Sequence, residues 1–199
     1  YAIALALVED GEVVVAAMGC PNLPYHGEPG DAEVGGPIGV LFVAERGQGT
    51  RMMPLFEATA DTVGEPCQAA APATTAEARY AESVEAAHSN QSEAARIGAA
   101  LGITAEPVRL DSQTKYAMVA RGDASIYLRV PRGDYRENIW DHAAGMLVVS
   151  EAGGRVSDVE GKPFDITTGQ RMTENRGAVV TAASIHDQVV AAVRSVLEG

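Results

Sequence analysis

The stretch IWDHAAGMLVVSEAGG, residues 139–154, carries the clearest structural signal in the sequence. It is almost entirely apolar or small, and it ends in a glycine pair that is typical of a helix C-terminus. The pattern predicts a helix over 139–152 that is buried on most sides. Asp141 lies in its first turn, where an aspartate serves as an N-cap or as a metal ligand. The pattern alone favours the cap, but a cap leaves the small residues 143–145 unexplained.

Strand and helix patterns alternate on both sides of this stretch. Such alternation indicates an α/β protein in which a mixed sheet is covered by helices. Within one strand, Tyr127 and Arg129 lie on the face opposite Ile126 and Leu128. The predicted elements are a helix over 90–101, a strand over 107–110, a helix from Asp111 or Ser112 to 120, strands over 125–130 and 177–182, and a helix over 184–197.

The first 55 residues predict an antiparallel meander. Asp10-Gly11 separates two apolar, β-rich runs, which is a strong hairpin signal. Prolines and glycines predict a loop over 19–37, and a strand follows over 38–45. A further strand over 50–55 is expected at a sheet edge because it contains Pro54.

Residues 57–78 differ in composition from the segments on either side. They are rich in Ala, Thr and Pro and show little periodicity. Such a segment is typical of a linker or of a crossing between domains. We therefore expect two domains, one over 1–75 and the other over 76–199.

Composition excludes several classes of partner. The formal net charge of −12 repels polyanions, so binding to nucleic-acid polymers or anionic membranes is not expected. No apolar run reaches the ~20 residues that span a bilayer. Two cysteines, Cys20 and Cys67, are too few for a disulfide framework and are expected as free thiols in a reducing compartment. We expect a cytoplasmic monomer.

Several motifs carry a resemblance to a known family. Residues 140–145 followed by 151–154 resemble the carboxyl-side signature of the lithium-sensitive, magnesium-dependent phosphatases of the inositol monophosphatase superfamily. Segments 19–24, 110–116 and 127–129 are similar to the 3′(2′),5′-bisphosphate nucleotidases in particular. The resemblance implies the carboxyl part of an αβαβα sandwich, with antiparallel strands first and a mixed sheet after them.

The resemblance implies that Asp141 is a Mg²⁺ ligand and a catalytic carboxylate that also contacts the substrate. Magnesium takes six oxygen ligands, so one aspartate is not enough. The family's other ligands come from an upstream Glu and an Asp-Pro-Ile-Asp-Gly-Thr motif, which this sequence lacks. Because the chain also opens at Tyr1 on a strand-like run, we expect a fragment that hydrolyses nothing alone.

The resemblance further implies that His88, Ser112, Lys115 and Arg129 bind the substrate. Ser112 and Lys115 lie one turn apart at a predicted helix start, where phosphate binds well. A guanidinium fork such as that of Arg129 suits a phosphate or a purine face. The residues alone leave structural roles open. These are a helix cap for Ser112, a solvated side chain for Lys115, a surface position for Arg129 and, for His88, a histidine whose hydrogen bonds are satisfied.

The expected reaction is magnesium-dependent removal of the 3′-phosphate from adenosine 3′,5′-bisphosphate, and from its sulfated relative. The expected partner is therefore a small phosphorylated nucleotide. Two alternatives stay open: an inositol-phosphate phosphatase of the same superfamily, and a truncated member that binds nucleotide without turnover.

Overall fold

The fold consists of four layers, in the order sheet, helices, sheet, helices. The computed structural model describes residues 1–29, 36–84, 91–130 and 133–199. The predicted α/β class, with antiparallel strands first and a mixed sheet later, is confirmed. In the described part of the chain, no helix is long and apolar enough to cross a membrane.

The first layer is an antiparallel sheet with its strands in chain order. The strands are β1 (Ile3–Glu9), β2 (Glu12–Pro24), β3 (Ile38–Glu45), β4 (Gly49–Pro54) and β5 (Glu65–Cys67). Asp10 and Gly11 adopt positive φ values of 50° and 82° and form the predicted hairpin turn. The meander and the bounds of β3 are as predicted.

Two expectations about this sheet were wrong. The predicted loop over 19–37 begins later, because β2 runs on to Pro24. A register shift between Cys20 and Pro24 lets this proline-containing segment pair with β3. Strand β4 is not the sheet edge, because the short β5 pairs with Thr50–Met52 and leaves Pro54 beyond the pairing.

Helices α2 (Thr114–Arg121) and α3 (Ala143–Glu151) form the second layer. They share one buried cluster with Met18 and Phe42 of the first sheet and Val180 of the second. The predicted helix over 139–152 is divided, because a 3₁₀ turn over Ile139–Asp141 precedes α3. Asp141 therefore lies outside α3, at the edge of the helical layer.

The second sheet and two outer helices complete the fold. Their bounds are β6 (Ala81–Glu82), β7 (Val108–Arg109), β8 (Ile126–Arg129), β9 (Gly154–Ser157), β10 (Ala178–Ala182), α1 (Gln91–Leu101) and α4 (His186–Glu198). Strands β8, β10 and β9 are antiparallel in that order, β6 and β7 form a parallel pair, and a bridge from Tyr80 to Ile126 joins the two sets. Strand β9 was not predicted, since its four residues follow a helix end and carry no alternation.

One face of the first sheet is exposed. Ile3, Leu5 and Leu7 of β1 are 53%, 66% and 51% exposed, whereas Val13 and Phe42 on the face toward α3 are fully buried. Such an apolar face is unusual for a sheet in water.

Gly145 in α3 gives a prediction about stability. A Cβ at this position would lie 2.3 Å from Cγ of Tyr116, whose ring is buried. We expect Gly145→Ala to lower the free energy of unfolding by about 3 kcal/mol, measured by urea titration, because neither the helix nor the ring can move freely.

Gly98→Ala in α1 is the matched control, since its Cβ would meet only a 3.2 Å contact with Tyr80. The gain in helix propensity offsets that contact, so little change is expected. Equal losses in the two variants would contradict the close packing of Gly145 on Tyr116.

Candidate active site

A cavity of about 460 Å³ lies where α2, β8 and the 3₁₀ turn before α3 meet. Four of the five predicted site residues, Ser112, Lys115, Arg129 and Asp141, line it. The fifth, His88, lies outside the described residues. The cavity is also lined by Glu82, Ser83, Asp111, Gln113 and Tyr127. Motifs that are far apart in the sequence are thus brought to one opening.

Lys115 is a buried cation at the cavity wall. It is the second residue of α2, and only 6% of it is exposed. Its Nζ lies 3.1 Å from the Ser83 hydroxyl and 3.5 Å from the Leu110 carbonyl oxygen, and 5.4 Å from the centre of the Tyr127 ring. Burial lowers the pKa of Lys115 to about 8, although the nearby charge of Asp111 opposes this. An anion in the cavity would stabilise the charged form and raise this pKa again.

Ser112 lies one residue before the N-cap position of α2, and its hydroxyl oxygen accepts a hydrogen bond of 3.3 Å from the Thr114 amide, as expected of a capping serine. The helix begins at Thr114, and Gln113 occupies the N-cap position without a side-chain hydrogen bond. Ser112 adopts a positive φ of 71°, and its hydroxyl oxygen lies 3.0 Å from that of Thr114. The turn over 111–113 therefore lies against the cavity in front of Lys115.

Arg129 is held by a buried carboxylate. Its Nε lies 2.9 Å from the carboxylate of Glu137, whose side chain is 6% exposed, while the Arg129 side chain is 38% exposed. Burial alone would raise the pKa of Glu137, but the hydrogen bond with His142 and the charge of Arg129 together lower it. Glu137 is thus ionised, and Arg129 keeps part of its guanidinium at the cavity.

The same carboxylate reaches His142, which is fully buried. Oε2 of Glu137 lies 3.3 Å from Nε2 of His142, and the Tyr116 hydroxyl lies 2.6 Å from its Nδ1. These contacts connect α2, the segment before α3 and Arg129. His142 is therefore part of a buried hydrogen-bond network that joins Tyr116 to Glu137.

Asp141 is not an N-cap. The N-cap position of α3 is His142, and no side chain there makes a capping hydrogen bond. One oxygen of the half-buried Asp141 carboxylate accepts a long hydrogen bond of 3.4 Å from Nδ2 of Asn138. The geometry therefore does not support a helix-capping role for Asp141.

The surroundings of Asp141 suit a hard cation. Oδ1 of Asn138 and Oε1 of Gln113 are buried and have no hydrogen-bond partner among the described residues. Carboxylate and amide oxygens are the ligand types that Mg²⁺ prefers. However, the described ranges contain no group of three or more His, Cys, Asp or Glu residues that could hold a metal. Asp141 can thus supply one ligand but not a complete site.

Among the residues at the site that were not predicted, Ser83 and Glu137 contact the two cations directly. Ser83 lies 32 residues from Lys115, and Glu137 lies eight residues from Arg129. Neither spacing corresponds to a local motif, and no pattern in the sequence pointed to these pairs.

Comparison with known proteins assigns the family. Residues 1–198 match the model of the inositol monophosphatase family. The chain belongs to this family. The resemblance carried by residues 140–145 and 151–154 is thereby confirmed.

Curated relatives are named as nucleotidases. The 3′(2′),5′-bisphosphate nucleotidase of Emericella nidulans is 43% identical over 206 residues, covering 100% of this chain and 58% of the relative. That of Schizosaccharomyces pombe is 42% identical over 197 residues, covering 98% and 54%. This family member therefore spans a little over half the length of these relatives.

Solved structures share the fold. An IMPase from Thermotoga maritima aligns with a TM-score of 0.66 at 23% identity over 99% of this chain and 62% of that one. An inositol monophosphatase from Anabaena aligns with a TM-score of 0.63 at 19% identity over 98% and 64%. At these identities the likeness establishes the fold alone.

Proposed function

We propose that this chain is the substrate-binding part of a magnesium-dependent phosphomonoesterase that removes the 3′-phosphate of adenosine 3′,5′-bisphosphate. The observation that carries the proposal is the convergence of Lys115, Arg129 and Asp141 on one cavity. Two cations suit two phosphates, and about 460 Å³ lies in the range of small-molecule sites. The names of the relatives support this choice of substrate.

The residues of this chain bind and orient the substrate. The Lys115 ammonium and the Ser112 hydroxyl donate hydrogen bonds to the oxygens of one phosphate. The planar fork of Arg129 binds the second phosphate or stacks on the purine. Together they offset the repulsion between a chain of net charge −12 and an anionic substrate.

In the proposal Asp141 is one ligand of the magnesium, and the side-chain amides of Asn138 and Gln113 donate hydrogen bonds to its turn. When bound, the metal would supply an activated water and neutralise charge on the phosphoryl group. The remaining carboxylate ligands belong to a segment upstream of this sequence. The exposed apolar face of β1 supports the presence of such a segment, because further chain could cover it.

Phosphate release by the full-length protein tests this function. We expect turnover of adenosine 3′,5′-bisphosphate with Mg²⁺, slower turnover of inositol 1-phosphate, and none by the 199-residue chain alone. Preference for inositol 1-phosphate would favour the inositol-phosphatase alternative. Binding without release, in a protein that contains the upstream motif, would favour the non-catalytic alternative.

The lowered pKa of Lys115 predicts how affinity depends on pH. The protonated ammonium binds phosphate, and bound phosphate raises its pKa again. Affinity should therefore be full below the free-state pKa of about 8 and fall as the pH rises above it, by up to about tenfold per pH unit. Calorimetry from about pH 7 to about pH 9.5 measures this, since the phosphate ionisation is complete over that range.

Lys115→Met is the control for this titration. Its affinity should be lower and nearly independent of pH over the same range. A wild-type affinity that stays constant through pH 9 would contradict the role of the Lys115 ammonium.

A further inference from the structure

We propose that Glu137 is a positioning residue that holds the Arg129 guanidinium in the orientation in which it binds phosphate. The inference rests on the proposed function for the role of the cavity, but its geometric basis is independent of which phosphate ester is bound. Glu137 lies outside every motif that carried the family resemblance.

The backbone around Glu137 is itself fixed. The carbonyl oxygen of Glu137 accepts a hydrogen bond of 2.9 Å from the Met172 amide, and the Ile139 amide donates to the Gln170 carbonyl oxygen at 3.2 Å. Asn138 and Arg171 form a β-bridge. The segment 170–172 therefore fixes the backbone of residues 137–139.

The carboxylate of Glu137 is engaged on two sides. It lies 2.9 Å from Nε of Arg129 and 3.3 Å from Nε2 of His142. The fully buried His142 is in turn bonded to Tyr116 at 2.6 Å. A rotation of Glu137 away from Arg129 would leave buried polar groups unpaired, which a low-dielectric interior strongly disfavours.

This arrangement determines what Arg129 presents to a ligand. The ion pair uses Nε and leaves the two terminal nitrogens outside the pair, at the end of a side chain that lines the cavity. Without Glu137, the partly exposed Arg129 keeps only its hydrogen bond with Tyr127, so it is held less firmly and a ligand must order it further on binding.

The negative charge of Glu137 acts in the opposite direction, because it reduces the attraction between Arg129 and an anion. The two effects predict opposite signs. If positioning dominates, loss of the carboxylate weakens phosphate binding. If charge dominates, loss of the carboxylate strengthens it.

Inorganic phosphate is the probe, titrated by calorimetry into the full-length protein. We expect Glu137→Ala to weaken binding about tenfold, and Glu137→Gln, which keeps an acceptor for Nε, to bind within about threefold of wild type. In an Arg129→Ala background, Glu137→Ala should cause no further loss. KM for the bisphosphate should rise in parallel while kcat changes little.

Ser157→Ala is the matched control, because it disturbs a different buried histidine network, in which the Ser157 hydroxyl lies 3.0 Å from Nε2 of His186, away from the cavity. It should lower thermal stability and leave phosphate affinity unchanged, and this separates positioning from general damage. An equal loss in the wild-type and Arg129→Ala backgrounds, or unchanged or tighter binding by Glu137→Ala, would overturn the inference. Absence of nucleotide turnover in the wild type overturns only the proposed function, because the phosphate titration still decides the role of Glu137.

Discussion

Asp141→Asn in the full-length protein should reduce phosphate release from adenosine 3′,5′-bisphosphate by roughly 10³-fold. Asparagine keeps the size of the side chain but loses the charge that holds a divalent cation. A metal that stabilises the transition state contributes several kcal/mol, and each 1.36 kcal/mol corresponds to a factor of ten in rate. Initial rates across a magnesium titration measure the effect, and the magnesium concentration at half-maximal rate should rise.

Substitution by asparagine distinguishes a metal-binding role of Asp141 from a helix-capping role. Asparagine caps helices about as well as aspartate, so a purely capping residue would tolerate the change. Asp187→Asn is the control, because Asp187 is an exposed first-turn aspartate of α4 that pairs with Arg155 away from the cavity. Similar rates in the two variants would contradict a metal-binding role for Asp141.

Lys115→Met should weaken binding of the bisphosphate by about 10- to 100-fold, because a hydrogen bond to a charged group contributes about 1.5–3 kcal/mol. The same change should raise the free energy of unfolding. Burial lowers the pKa of Lys115, so near neutral pH the folded protein bears the cost of a desolvated ammonium that methionine does not carry. Calorimetry and urea unfolding measure the two effects.

Opposite changes in affinity and stability are the expected signature of a residue kept for binding. The exposed Lys162 provides the control, and Lys162→Met should leave both quantities nearly unchanged. If Lys115→Met behaves like Lys162→Met, then Lys115 does not bind the substrate and the proposed role of the cavity is wrong.

Local signals in the sequence predicted much of the fold. Strand β3 and the hairpin at Asp10-Gly11 follow from apolar alternation and turn chemistry, and α4 follows from a single apolar stripe. The extension of β2 to Pro24 was missed, because prolines argue against a strand unless a bulge and a partner accept them. Pairing with β3, which is a tertiary contact, makes the extension of β2 possible.

The site was predicted where motifs carried it and missed where only folding creates it. Lys115 and Asp141 lie in segments that resemble family motifs, so their place in the site could be predicted. The burial of Lys115 and its contact with Ser83 arise from the packing of α2 against the second sheet. The same is true of the Glu137 contact with Arg129, since eight residues of irregular chain give no fixed spacing between them.

We propose that one cavity binds a nucleoside bisphosphate through Lys115 and Arg129, with a divalent cation at Asp141. The decisive experiment is a calorimetric titration of adenosine 3′,5′-bisphosphate into the full-length protein, with and without Mg²⁺. We expect one-to-one binding that Mg²⁺ strengthens and that exceeds the binding of inositol 1-phosphate. No binding, or equal binding of the two compounds regardless of Mg²⁺, would contradict it.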